Sequence, residues 1–197
     1  MIGAVVLAAG LSQRMGRPKM TLPWQDTTVI GRVVSVLLDA SVDEVLVVTG
    51  GARKDVESAL AGMPVSTIYN PDFGNGEMMQ SLRVGLNALH KQINAALIVL
   101  GDQPQIKIEV VKSIMAIYKQ DHHAIVVPSI QSRRGHPWLV DRALWNVLLD
   151  ENAISTMRQF LNQFGKQIHY VDVSTASILQ DLDTPKDYLK FQNHENE

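Results

Sequence analysis

The sequence contains no cysteine, which excludes disulfides, thiolate zinc sites, iron–sulfur clusters and a cysteine nucleophile. Aromatic residues are scarce at 6%, and neither sign of charge dominates, since eighteen Lys and Arg face twenty Asp and Glu for a formal charge of −2. Without a global positive field to gather nucleic acid or anionic lipid, neither is expected as a partner. Long apolar runs are missing too. The longest, such as Ala4–Ala9 and Ala95–Leu100, fall far short of the roughly 18 residues of a membrane span. The N-terminus has no basic residues ahead of its short apolar run, so a signal peptide is not expected and the expected location is the cytoplasm. What is present is 46% hydrophobic residues in a chain of 197, enough for a core and of a length that favours one domain.

The apolar runs are short, β-branched and continuous. Ile2–Leu7, Glu44–Val48, Val65–Tyr69, Ala95–Leu100 and Ala124–Val127 are predicted as strands buried on both faces. Helical spacing lies between them, over Val29–Leu38, Lys54–Leu60, Met78–Leu89, Val110–Tyr118 and Arg142–Leu149. This alternation predicts right-handed crossovers and an α/β fold of three layers, α/β/α, around a mostly parallel, Rossmann-like sheet. A helix over Ser155–Phe164, a strand over Ile168–Val173 and a last helix opened by Pro185 close the chain, with Thr184 or Asp183 as the cap. One domain is expected over residues 1–192, with a polar, frayed tail over 193–197. Ligands of such sheets collect outside the carboxyl ends of the strands. Those ends carry Ala8-Ala9-Gly10, Asn70-Pro71 and Gly101-Asp102-Gln103-Pro104.

The loop after the first strand, Leu7-Ala8-Ala9-Gly10-Leu11-Ser12-Gln13-Arg14-Met15-Gly16-Arg17-Pro18-Lys19, holds two glycines, a hydroxyl and three cations. Small residues at Ala8, Ala9 and Gly10 let backbone N–H groups approach a ligand. Arg14 can fork onto two phosphate oxygens, and Lys19 adds a compact charge. The spacing is neither a Walker A motif nor a dinucleotide fingerprint. By residue type alone the segment is either an anion cradle or an exposed loop with solvated cations. Asp102 should sit at the carboxyl edge of its strand, and Asp181 and Asp183 fall between the last strand and the last helix. Mg²⁺ takes one or two carboxylates plus phosphate oxygens and water, so two such carboxylates can meet over a triphosphate. Asp183 is a ligand on that view and a plain helix cap on the other. Asp181 alternates with Asp183 and, if the segment is extended, points to the opposite face, which leaves it as a supporting neighbour of the metal site.

Ser81, early in a predicted helix, is either a hydrogen-bonding partner for a base or ribose, or an ordinary helical serine. Arg133-Arg134-Gly135-His136-Pro137-Trp138 is either a receptor for an acceptor phosphate or a solvated loop with Trp138 anchored in the core. His122 and His123 lack zinc-ligand spacing and read as surface residues.

The first loop resembles the L-A-A-G-x-S-x-R-M-G-x-P-K signature of nucleotidyltransferases with the GT-A-like (nucleotide-diphospho-sugar transferase) fold. Gly76 with Ser81-Leu82-Arg83-Val84-Gly85-Leu86, Gly101-Asp102-Gln103-Pro104, Arg134-Gly135-His136-Pro137 and Asp181-Leu182-Asp183-Thr184-Pro185 resemble motifs of the molybdenum cofactor cytidylyltransferase branch. The resemblance covers nearly the whole chain and implies transfer of CMP from CTP to the molybdopterin-type cofactor, with Mg²⁺ and release of pyrophosphate, and a molybdoenzyme as an eventual partner. It implies catalytic roles for Arg14, Lys19 and Asp102, and nucleotide contacts from Leu7, Ala8, Ala9, Gly10, Ser12, Arg14, Lys19, Gly76, Ser81 and Asp102. Asp102 and Asp183 are then the metal pair, and Arg134, Gly135 and His136 the acceptor contacts. Ala9 follows the cytidylyltransferase pattern, where related guanylyltransferases carry L-A-G-G. After the R-G-x-P loop the branch carries G-D-x-G-x-R, whereas this chain has Asp150-Glu151-Asn152-Ala153-Ile154-Ser155-Thr156-Met157-Arg158. The alternatives are another phosphorylated acceptor (a sugar phosphate or methylerythritol phosphate), GTP as donor, and a non-catalytic nucleotide-binding module. A serine hydrolase lacks its G-x-S-x-G elbow.

Overall fold

Strand β1 (Ile2–Ala8) is buried along its whole length and divides its side chains between two apolar layers, as the two-residue period of a strand requires. Ile2, Ala4, Val6 and Ala8 enter one core, while Val5, Leu7 and the following Ala9 enter the other. The computed structural model describes residues 1–75 and 78–194, and β1 is an interior strand of its main sheet.

After β1 come a small hairpin of β2 (Pro23–Trp24) and β3 (Thr27–Thr28), then α1 (Val29–Asp39), β4 (Glu44–Thr49), α2 (Arg53–Ala59) and β5 (Ser66–Tyr69). Next follow α3 (Met78–Ala88), β6 (Ala95–Leu100), α4 (Ile108–Asp121), β7 (Ile125–Ile130), β8 (Arg133–Arg134) and β9 (Trp138–Asp141). The chain continues with α5 (Trp145–Leu149), α6 (Met157–Gln163), β10 (Ile168–Asp172) and α7 (Pro185–His194). The main sheet runs β10-β7-β9-β6-β1-β4-β5, with β8 added to β7. Helices α1, α2 and α4 bury their apolar faces in the first core and α3, α5 and α6 in the second. The three-layer α/β/α arrangement expected from the alternating pattern is the observed one. No helix among the described residues is long and apolar enough to cross a membrane.

Three details differ from expectation. Strand β5 pairs with β4 alone and is largely exposed, because it is an edge strand with one neighbour. Strand β7 continues past Pro128, whose carbonyl accepts from Gly135 N at 2.9 Å. Strand β9 lies antiparallel between β6 and β7, so Trp138 anchors a strand and not only a loop. Its four residues are too short a run to stand out by pattern.

Close approach is built in where α3 crosses the sheet. A Cβ on Gly85 would lie 2.3 Å from Val5 Cγ1, so only glycine lets this helix sit so near β1. Two positions earlier, Arg83 is 6% exposed and donates from Nε to the Leu148 carbonyl at 3.0 Å and from Nη2 to the Ile154 carbonyl at 2.6 Å. The guanidinium thereby fastens the stretch in which the branch's glycines are replaced. We predict that Arg83→Leu lowers folding stability by about 2–4 kcal/mol, since buried carbonyls lose a charged donor. Arg83→Lys should recover less than half, because an ammonium lacks the fork. Urea midpoints at an unchanged m value measure both.

Candidate active site

In the register of β1 with β6, Leu7 stands beside Leu100, and Gly101 N donates to the Leu7 carbonyl at 3.1 Å. The loops that leave these two strands therefore emerge side by side at the carboxyl edge of the sheet. Ser12 stands in the left-handed region at φ 52°, and its hydroxyl oxygen accepts from Lys19 N at 3.1 Å, which closes the turn between them. Met15, next to Arg14, sinks into a third apolar cluster with Leu22, Trp24, Val29, Leu182 and Tyr188. Leu182 lies between Asp181 and Asp183 in sequence, so the cluster draws the two distant segments together.

The result is a cluster of opposite charges in a cleft of about 560 Å³. The Lys19 ammonium contacts Asp102 Oδ2 and lies 3.6 Å from Asp183 Oδ1. Arg14 Nη2 lies 3.1 Å from Asp183 Oδ2. The side chains of Lys19 and Asp102 are only 13% and 15% exposed, against 37% for Asp183 and 70% for Arg14. An inner pair thus sits on the cleft floor, and Arg14 stands at the mouth, paired with Asp183. Helix α7 is capped by Thr184, whose hydroxyl oxygen accepts from Asp187 N at 3.3 Å while the Asp187 carboxylate accepts from Thr184 N at 2.8 Å. The Thr184 hydroxyl also donates to the Asp187 carboxylate at 2.7 Å, and this bond above all, with the backbone N–H groups of Thr184 and Asp183, holds the Asp187 carboxyl below its ordinary pKa. Asp183 is therefore spared the capping role and is left for the cleft.

Leu7, Ala9, Gly10, Ser12, Arg14, Lys19, Ser81, Asp102 and Asp183 all line the cleft. Ala8 does not, because strand alternation turns its side chain into the opposite core. Gly76 lies outside the described residues. A Cβ on Gly10 would meet nothing within 4 Å, since the space beyond it is the cleft itself. Ser81 Oγ accepts from the buried Asn70 Nδ2 at 3.0 Å. Asn70 stands at the end of β5 and fixes that hydroxyl, a role that its sequence position marked as a strand end without specifying. Asp181, expected to point away, also lines the cleft. Residues 180–183 belong to no strand, so two-residue alternation does not apply to them. Desolvation, followed by the nearby Asp102 and Asp183 charges, raises the Asp181 pKa against the opposing effects of Gln103 and Lys19. Leu11, Phe73 and Met78 also line the cleft; their apolar type carried no signal of it in the sequence.

Arg134, Gly135 and His136 are not among the cleft residues. Arg134 lies with its guanidinium over the Tyr170 ring at 5.5 Å, in a separate pocket with Ser129, Ser132 and Asp172. A Cβ on Gly135 would fall 2.4 Å from the Ile178 carbonyl oxygen, and His136 N donates to that carbonyl at 3.0 Å. The loop is thus seated on the segment that leads to Asp181. Trp138 Nε1 donates to the Gly135 carbonyl at 2.6 Å. His123 stacks on His169 at 4.1 Å between ring centroids.

Residues 4–169 match the MobA-like NTP transferase domain. The chain is 28% identical to the molybdenum cofactor cytidylyltransferase of Escherichia coli K12 over 190 residues, covering 95% of this chain and 94% of that protein. Its fold is similar to that of Rv0371c from Mycobacterium tuberculosis H37Rv, with a TM-score of 0.85, 29% identity and coverage of 98% and 97% of the two chains. A manganese complex of Rv0371c superposes with a TM-score of 0.78 at 27% identity, covering 98% of each chain.

The His136 ring stacks on Trp138 at 4.2 Å, with its Nε2 atom buried. Burial pushes its pKa from 6.5 down to about 4. The unfolded chain takes up this proton as pH falls through its ordinary value, whereas the folded protein resists until about 4. Stability is therefore complete above pH 6.5 and is lost on acidification between the two values, by at most about 3 kcal/mol. His136→Phe keeps a ring against Trp138 and should flatten that part of the profile. Urea midpoints at pH 7 and pH 4.5 measure the difference.

Proposed function

The chain belongs to the MobA-like NTP transferase family, and we propose that it transfers CMP from CTP to a molybdopterin-type acceptor with release of pyrophosphate. The enzyme class is nucleotidyltransferase. The observation that carries the finer reading is the meeting of Lys19 with Asp102 and Asp183 on the floor of a cleft with Arg14 at its mouth. Two cations there match a triphosphate, and two carboxylates match a divalent ion. The cytidylyltransferase named for the E. coli relative and the alanine at position 9 favour CTP over GTP. The alignment to that relative spans nearly all of both chains, which favours the molybdopterin-type acceptor.

The donor set fits Mg²⁺. Asp102 and Asp183 already converge on one cation, the Lys19 ammonium, and Mg²⁺ asks for one or two carboxylates with phosphate and water completing its shell. Asp102 and Asp183 would hold the ion, and the manganese complex of Rv0371c supports use of a divalent cation. When bound, it supplies Lewis-acid polarisation and a template for the two reactants.

The acceptor's phosphate oxygen is already a nucleophile, so the protein needs no general base. That oxygen forms a bond to the α-phosphorus of CTP as the bond from this phosphorus to the bridging oxygen of the β-phosphate breaks, and pyrophosphate departs with the electron pair. Lys19, held on the floor by Ser12 and Asp102, steadies the α-phosphate. Arg14, exposed and forked, steadies the leaving pyrophosphate. Leu7, Ala9, Gly10 and Ser81 wall the nucleoside. The main task of the site is alignment and charge neutralisation. Arg134, Gly135 and His136 lie outside the cleft; Arg134 is proposed to meet the far end of an extended acceptor, while Gly135 and His136, packed on Ile178 and Trp138, seat its loop on the segment preceding Asp181.

Pyrophosphate release should require Mg²⁺ or Mn²⁺, CTP and molybdopterin together. Turnover with a sugar phosphate or methylerythritol phosphate would replace the acceptor, and turnover with GTP alone would replace the donor. Tight nucleotide binding with no turnover on any acceptor would make the protein a binding module. Lys19→Ala should lower kcat by about two to three orders of magnitude, the scale of one preorganised donor, and should also lower the melting temperature, because Asp102 is left withdrawn from water without its partner. Single-turnover kinetics with labelled CTP read that loss directly.

A further inference from the structure

Residues 180–183 lie in no helix or strand, yet Asp183 must be held in place if it is to face Asp102. The apolar seat of Leu182 anchors the segment without fixing its position along the chain direction, because apolar contact is not directional. Directional contacts come from the loop after β6. Leu182 N donates to the Asp102 carbonyl at 3.1 Å. Gln103 Nε2 donates to Asp181 Oδ1 at 2.6 Å, and Gln105 Nε2 donates to the Gln180 carbonyl. Three hydrogen bonds in succession therefore join residues 102, 103 and 105 to residues 182, 181 and 180.

The two glutamines are nearly inaccessible, at 2% and 4% exposed, and the Oε1 atom of each is buried without a hydrogen-bond partner. Their orientation follows from chemistry, since a carboxylate and a carbonyl only accept, and the amide must present its NH₂. A leucine or methionine would fill the same volume without burying an unmatched oxygen, which costs about 1–3 kcal/mol. Stability alone does not call for an amide at either place. What each amide adds is one donor aimed at the segment that carries Asp183.

We propose that Gln103 and Gln105 are positioning residues, which set Asp183 against Asp102 and so determine how tightly the divalent ion is held with the nucleotide. The inference rests on the reading of the cleft as a metal–nucleotide site and extends it to residues that touch neither ligand. Loss of either donor lets the segment slide. Outer partners of metal ligands typically govern 10–100-fold in metal affinity.

The test is a Mn²⁺ titration of the full chain in the presence of CTP and the absence of acceptor, followed by electron paramagnetic resonance of free Mn²⁺. Gln103→Leu, Gln105→Leu and the second volume-matched variant Gln105→Met should each bind Mn²⁺ about 10–100-fold more weakly, with the number of sites unchanged. A merely structural role predicts the opposite split, with fewer competent molecules at native affinity, and that result overturns the proposal. Native affinity in all three variants overturns it as well, while leaving the metal–nucleotide reading intact. Failure of the native protein to bind Mn²⁺ with CTP overturns both together.

Discussion

The contact between the Lys19 ammonium and the Asp102 carboxylate is the junction around which the cleft is organised. Both side chains are largely withdrawn from water, and a charge so placed is unfavourable unless its partner is held in good geometry. The holding is done by the sheet. Strands β1 and β6 are parallel neighbours in a register that sets Leu7 beside Leu100, and each turns out of the sheet one or two residues later. A cation from the first loop and a carboxylate from the second then meet across the width of one strand pair.

Charge alone would not add the third party, Asp183. Its segment reaches the same point because Leu182 packs with Met15 in an apolar cluster below the cleft, and because the loop after β6 supplies hydrogen bonds in register along residues 180–182. Hydrophobic burial thus brings the segment near, and hydrogen bonds decide where along it the carboxylates fall. The same division of labour appears at the other loop. Gly135 is pressed against the Ile178 carbonyl, and the His136 N–H donates to it, so the two loops behind the cleft are fastened to each other as well as to the sheet.

The separation between inner and outer charges bears on mechanism. Lys19 is tethered through its own backbone to Ser12 and stays on the floor, where the proposed reaction would need the phosphorus aligned. Arg14 is mostly exposed, and an exposed guanidinium suits the proposed role of binding a phosphate tail and then releasing it. Asp181 stands close to Asp102 and Asp183, and desolvation together with these two acidic neighbours raises its pKa.

Much of this was legible in the sequence for a simple reason. Buried parallel strands have no face to water, so Ile2–Ala8 and Ala95–Leu100 stand out as unbroken apolar runs, and the residues that follow them must lie where such sheets bind ligands. That logic locates Arg14, Lys19 and Asp102 without coordinates, and the loop motif adds Asp183. Local pattern did not carry the rest. Whether β5 is central or at an edge depends on strand order, the place of β9 depends on a pairing between distant runs, and Ala8 and Ala9 differ only in the face that each strand position presents. The orientation of Asp181 escaped for a related reason: residues 180–183 take their shape from hydrogen bonds to another loop rather than from an intrinsic repeat. Sequence by itself determined the layers and the chemistry at the strand ends, because these follow from hydrophobic periodicity and residue type. Only the tertiary structure decided which carboxylates face Lys19 and which amides hold them there, because those contacts join residues some eighty positions apart and depend on register that no local pattern encodes.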